Sequence, residues 1–270
     1  MRRFYSCLLF LSLVTLSCNT GNLKVVANIS SDLMEVSAVE TTSNSDLIWV
    51  IEDSGNRNNL YGLDPNGSIA KSIAIGNSKN MDWEDLTSDS EGNLYIGDFG
   101  NNSKKRETFN IYKVNNLASV EDKVDAETIT FKLPKSIKPK NFEAFFLLDD
   151  NFYVFSKDDK KATVVSVPNL TGKHIAKFVT EFNLEGKKNS ITSADISADH
   201  KTIVLLNHNK LWKLTDFDED NFFEGSINTL FFDHTSQKEG ICFKNNDTVV
   251  ITDEYDGMEG GNIYEFSLER

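Results

Sequence analysis

The chain is short of nearly everything that nucleophilic catalysis draws on. Among its 270 residues only four are histidine and three cysteine. Two of those cysteines, Cys7 and Cys18, fall within the first 18 positions, so no intramolecular disulfide can form beyond them. Cys242 lies in Glu239-Gly240-Ile241-Cys242-Phe243. With no basic neighbour to ionise it, its thiol reads as a small buried hydrophobe rather than a nucleophile. Proline is scarce, and no apolar period of 3.6 residues is sustained, which excludes a helical bundle. Basic side chains are outnumbered 28 to 41, giving a formal charge of −13. Such a surface repels nucleic acid and anionic lipid, so neither is an expected partner.

What is present begins with an export signal. Arg2 and Arg3 precede the apolar run Cys7-Leu8-Leu9-Phe10-Leu11-Ser12-Leu13-Val14, which ends in Thr15-Leu16-Ser17-Cys18. That run is too short to span a bilayer and reads as a secretory signal peptide. A small residue directly before a cysteine resembles the lipobox of bacterial lipoproteins, which implies acylation of Cys18. The expected layout is a signal peptide over 1–17, a lipidated tether over 18–23 and one domain over 24–270. The expected location is the cell envelope, lipid-anchored, at the outer membrane.

The domain repeats itself. A short apolar strand, a turn, a second apolar strand ending in polar residues and a third strand recur five times around Val39, Leu86, Phe145, Ile196 and Ile241. The spacing of roughly 45 to 60 residues suits one four-stranded propeller blade. Turn residues such as Asp89-Ser90-Glu91-Gly92-Asn93 and Pro65-Asn66-Gly67 fall between the strands. The second strands, among them Leu47–Ile51 and Ile203–Leu206, are continuous apolar runs, as strands covered on both faces require. Fourth strands are expected at Ser68–Ile75, Glu127–Leu133, Ile175–Phe182 and Ile227–Phe232, but the fifth copy has no room for one. The segment Lys24–Ile29 can supply it, closing the ring and removing its open edges. The reading is an all-β, five-bladed β-propeller of four-stranded antiparallel blades, with six shorter blades as the alternative.

In a propeller, the start of each first strand and the end of each second strand meet at one mouth of the central channel. The first set contains Glu84, Glu143 and Glu239, with Ser37 and Ala194 at the equivalent places. The second contains Glu52, Asp53, Asp98, Asp158, Asn207, His208, Asp253 and Glu254. Carboxylates facing one another across a narrow mouth call for a cation or trapped protons. Glu84, Glu143 and Glu239 are therefore candidate ligands for a divalent cation. Ca²⁺ is favoured because the donors are oxygens and no His or Cys pair has zinc spacing. Asp53, Asp98 and Asp253 recur at equivalent places, which also suits acids that cap backbone amides within their own blade. His208 and Asp253 are candidate general bases, and Arg57 and Arg106 could clamp an anionic ligand or balance nearby acids. Trp83 could offer a stacking face at the mouth. Asp216, Asp218, Asp220 and Asn221 imitate the opening of a calcium loop, but glycine at the sixth place and the closing glutamate are missing.

Three stretches carry a family resemblance: Ile48-Trp49-Val50-Ile51-Glu52-Asp53-Ser54-Gly55-Asn56, Asp82-Trp83-Glu84-Asp85-Leu86 and Gly92-Asn93-Leu94-Tyr95-Ile96-Gly97-Asp98-Phe99-Gly100-Asn101-Asn102. They are similar to exported bacterial propellers of the NHL-like and SdiA-regulated groups, which implies a propeller fold and an envelope location. A more distant resemblance is to gluconolactonase-like propellers, which hold a divalent cation in the channel through residues at the starts of innermost strands. Glu84, Glu143 and Glu239 occupy comparable places. Two functions follow as expectations. One is a binding module for a small-molecule or protein ligand at an acidic mouth that also holds Ca²⁺. The other is a metal-dependent hydrolase of lactones or phosphate esters.

Overall fold

A computed structural model of the chain describes residues 20–184, 186, 188–218 and 221–269. The signal segment, Cys18 and Asp220 lie outside the described residues. The five repeats fold as five antiparallel sheets around a common axis, a five-bladed β-propeller. From axis to rim, blade 1 is Val36–Thr41, Ile48–Glu52, Asn59–Leu63 and Ile69–Ile75. Blade 2 is Trp83–Ser88, Leu94–Asp98, Phe109–Val114 and Glu127–Lys132. Blade 3 is Phe142–Leu148, Asn151–Ser156, Ala162–Pro168 and Lys177–Phe182. Blade 4 is Ser193–Ile196, Ile203–Asn207, Lys210–Thr215 and Ser226–Phe231.

Blade 5 is built from both ends of the chain. Its first three strands are Lys238–Asn245, Thr248–Asp253 and Asn262–Ser267, and its fourth is Lys24–Asn28, antiparallel to the third with Lys24 opposite Glu265. An ion pair of 2.7 Å joins Lys24 to Glu265. Gly67 permits the closing strand to pass. At φ +83° it sits where a Cβ would lie 1.9 Å from the Asn28 carbonyl oxygen.

Alternation within each strand divides its side chains between two neighbours. Ile203 and Leu205 pack toward blade 3, while Val204 and Leu206 pack toward blade 5. The core is accordingly five clusters, one in each seam between consecutive blades, including the seam between blades 5 and 1 where Cys242, Val250 and Ile263 meet Val36, Val39 and Val50. Cys242 is buried there, its thiol pushed up by burial. The axis itself is blocked. Asp85, wholly buried on the innermost strand of blade 2, accepts from the Phe145 amide of blade 3 (3.0 Å) and the Ser193 hydroxyl of blade 4 (2.8 Å).

Two features depart from the sequence reading. Thr20–Leu23, assigned to the tether, lie against the ring: Asn22 donates its amide to the Phe232 carbonyl (2.7 Å), and Leu23 is buried among residues of blades 4 and 5. Two short strands, Lys123–Val124 and Gly172–Ile175, add in parallel to the rims of blades 1 and 2.

Candidate functional site

The glutamates reach the mouth because the innermost strands are bulged. In four blades the pairing register slips by one residue at the strand start, between Val36 and Ala38, Trp83 and Asp85, Phe142 and Ala144, and Lys238 and Gly240. The extra residues are Ser37, Glu84, Glu143 and Glu239, and a bulge re-aims such a side chain. In blade 4 the equivalent place belongs to Thr192. Its hydroxyl donates to the Lys238 carbonyl (2.8 Å), as the Ser37 hydroxyl donates to that of Trp83 (2.9 Å). Ala194, expected at this place, sits two residues further along, opposite Leu205 within the strand. No bulge shifts the blade 4 pairing, and the equivalent place lies two residues earlier than the spacing from Ile196 predicts.

A second set of groups comes from residues just past the ends of the second strands. These are Asp53, Phe99, Lys157, His208 and Glu254. Ser37, Glu84, Glu143 and Glu239 of the first set and Asp53, Lys157 and Glu254 of the second, with Asp82, Asn102 and Gln237, line a cavity of about 140 Å³. The three glutamates from blades 2, 3 and 5 thus share one space. Lys157 was missed in the sequence, where Asp158 was placed at the mouth. Asp158 instead turns outward to Lys104 (3.0 Å) and Lys140 (2.9 Å). The signal that would have found Lys157 is its position, the residue directly after the strand, shared with Asp53, His208 and Glu254.

The electrostatics of the mouth are those of crowded acids around one ammonium. Lys157 lies 2.9 Å from Glu143 Oε2, and the further pull of Glu239 and Glu84 raises its pKa despite burial. Burial, then the neighbouring Glu143, pushes Glu84 well above the carboxylate range, and burial raises Glu143 as well. Asp53 is pushed up to about 7 by burial and by Glu35 and Asp82, and Glu254 to about 8 by burial and by Glu239 and Asp53. His208 is half-exposed, with Nε2 3.3 Å from Glu239 Oε1. Among the described residues, no group of three or more His, Cys, Asp or Glu side chains is arranged to hold a metal ion. The ammonium of Lys157 stands beside Glu143, one of the three glutamates that the sequence reading gave to a divalent cation.

Other candidates are used elsewhere. Asp253 is wholly buried and accepts from Ser236 (2.5 Å), Tyr264 (2.8 Å) and the Asn262 amide (2.8 Å), which leaves no room for work as a base. Asp98 is its counterpart in blade 2, accepting from Tyr112 (3.4 Å). Arg106 donates to Asp98 Oδ1 (2.9 Å) and to the carbonyls of Asp98 and Gly100, so it balances an acid, one of the two roles the sequence offered. Trp83 is fully buried, its indole N–H donating to the Lys79 carbonyl (3.3 Å), and presents no stacking face. Arg57 is exposed and does not line the cavity. Asp216 and Asp218 are exposed in a blade 4 loop.

No protein-family model matches the chain, and no curated protein is similar to it in sequence. Solved structures do match. A chain of the nidogen/laminin complex superposes with a TM-score of 0.50 at 9% identity, over 81% of this chain and 72% of that one. Such a likeness is one of fold. A second match is to Kuenenia stuttgartiensis hydrazine synthase, with a TM-score of 0.45 at 11% identity, over 83% of this chain and 57% of that one.

Proposed function

We propose that the protein is an envelope-located binding module whose acidic mouth receives a basic side chain of a protein partner. The observation that carries this reading is the imbalance of charge in the cavity. Asp53, Asp82, Glu84, Glu143, Glu239 and Glu254 line it, against the single ammonium of Lys157. Asp53 and Glu254 hold protons up to about 7 and about 8 that a second cation would displace. A protein partner is favoured by the surroundings of the mouth. Met34 and Met81, just before the innermost strands of blades 1 and 2, are exposed on this face, as are Tyr255 and Met258 in the blade 5 loop that follows Glu254. Adaptable apolar side chains around a charged pocket suit recognition of a peptide segment. The nidogen/laminin match adds a propeller taken from a protein complex. The envelope location rests on the signal-like opening and Cys18, and radiolabelled palmitate incorporation lost in Cys18→Ser tests it.

The binding reading is tested by calorimetry with a leucine-flanked lysine peptide and its norleucine analogue. The lysine peptide is expected to bind, more tightly as pH rises from 6 to 8.5, and the Glu239→Gln/Glu254→Gln variant to lose it. Equal binding of both peptides overturns the reading. Ca²⁺ that binds and excludes the peptide makes the mouth a metal site. Chelator-sensitive turnover of a lactone or phosphate ester makes it a hydrolase.

A further inference from the structure

A second concave surface has the opposite chemistry and lies away from the mouth. The short strand Gly172–Ile175 leaves blade 3 and pairs in parallel with the outermost strand of blade 2, with Lys132 opposite Ile175. The Ala176 amide then donates to the Lys132 carbonyl (2.9 Å), fixing the crossing. Two adjoining cavities flank this added strand, of about 470 and 350 Å³, and share Lys132 and Ile175. Their combined size is that of a pocket for a small organic molecule.

The smaller cavity is largely apolar, the larger is lined by Thr108, Thr130, Lys132, Lys173, His174 and Ile175, and lysines border both. Leu133, Pro134, Ile137 and Ile175 supply the apolar part, and Ile175 is 65% exposed beside them. Lys132, Lys135 and Lys173 stand at the rim and, among the described residues, form no ion pair. The one acid in the lining is Glu107. On a chain whose formal charge is −13, three uncompensated lysines around an apolar groove are a local reversal of sign. Simple solubility would place lysines and acids together. A purely apolar ligand would not need the rim, and a small inorganic anion would not need the groove.

We infer that this groove binds an amphiphilic anion, a single-chain molecule whose carboxylate or phosphate head is held by Lys132 and Lys173 while its tail lies on Leu133, Ile137 and Ile175. The head is exposed to solvent at the rim, so both lysines act as charge partners and the apolar contact sets affinity. This site is independent of the acidic mouth.

Calorimetry on the full chain, below the micelle concentration of each probe, tests the inference with laurate, dodecyl phosphate, dodecyl maltoside and inorganic phosphate. Saturable one-to-one binding of laurate or dodecyl phosphate is expected, with the better of the two identifying the head group. Lys132→Glu/Lys173→Glu is expected to weaken it at least about tenfold, and Ile175→Ser to weaken it independently. Lys138→Glu, outside the groove, and Glu239→Gln, at the mouth, leave it unchanged. The inference is overturned if dodecyl maltoside binds equally, if inorganic phosphate binds as well as dodecyl phosphate, or if neither groove variant has an effect. Adsorption to phosphatidylglycerol vesicles without binding of the monomeric probes also overturns it, since that is a membrane surface and not a groove.

Discussion

Lys157 shows how one side chain can determine the character of a site. Its ammonium is the counter-charge for Glu143 and draws on Glu84 and Glu239, so that removing it leaves buried carboxylates without compensation. Lys157→Met is expected to destabilise the fold by about 2 kcal/mol, less than for breaking a fully buried pair because the lysine is partly exposed. Adding Glu143→Gln is expected to return most of that loss in urea unfolding; additive losses would show that the two groups are not coupled. The residue scale is also where the sequence was hardest to read. The glutamates stood out as acids opening apolar strands, but Lys157 and Asp158 are adjacent, and in a period of two a shift of one residue reverses the direction of the side chain. Trp83 and Arg106 show a related effect. Each sits beside mouth residues in sequence, yet Trp83 points into the seam between blades 1 and 2, and Arg106 folds back onto Asp98.

At the scale of elements, the repeat and its closure were legible because they depend on apolar content and turn chemistry, which sequence displays directly. The missing fourth strand of the last copy and the orphan segment at Lys24–Ile29 are complementary facts, and the pairing of Lys24–Asn28 with Asn262–Ser267 unites them. The bulges were not legible, because an extra residue in one strand leaves no mark until its partner is known. In the fourth copy, which pairs without a slip at its start, Thr192 accordingly lies two residues before the place that the repeat spacing predicts. Leu23 anchors the closing strand among Val204, Leu211 and Tyr264. Leu23→Ala is expected to cost roughly 2–3 kcal/mol by cavity formation and to raise amide exchange first in Asn262–Ser267. Uniform exchange across all five blades would mean that the ring opens elsewhere.

The whole molecule stores protons. Asp53 and Asp195 are pushed up to about 7 and Glu254 to about 8, each chiefly by burial, and burial also holds Glu40, Glu84 and Asp85 well above the usual carboxylate range. In the unfolded chain such carboxyls release their protons near pH 4. Between there and about pH 8 the folded state holds more protons than the unfolded one, so stability falls as pH rises through that window. Carboxylates lowered by their partners, such as Asp158 and Glu265, act oppositely and lose their contribution only as pH falls below the unfolded value. The urea midpoint is therefore expected to be higher at pH 5.5 than at pH 8, and Glu254→Gln to flatten the decline; a midpoint that rises with pH would contradict the proton-rich interior. The same burial of acids has a geometric consequence. With Asp85 bonded across the centre to blades 3 and 4, the wheel turns on a solid axle. Whatever enters at the crowded end must leave by the same door, and the two flat sides are separate rooms.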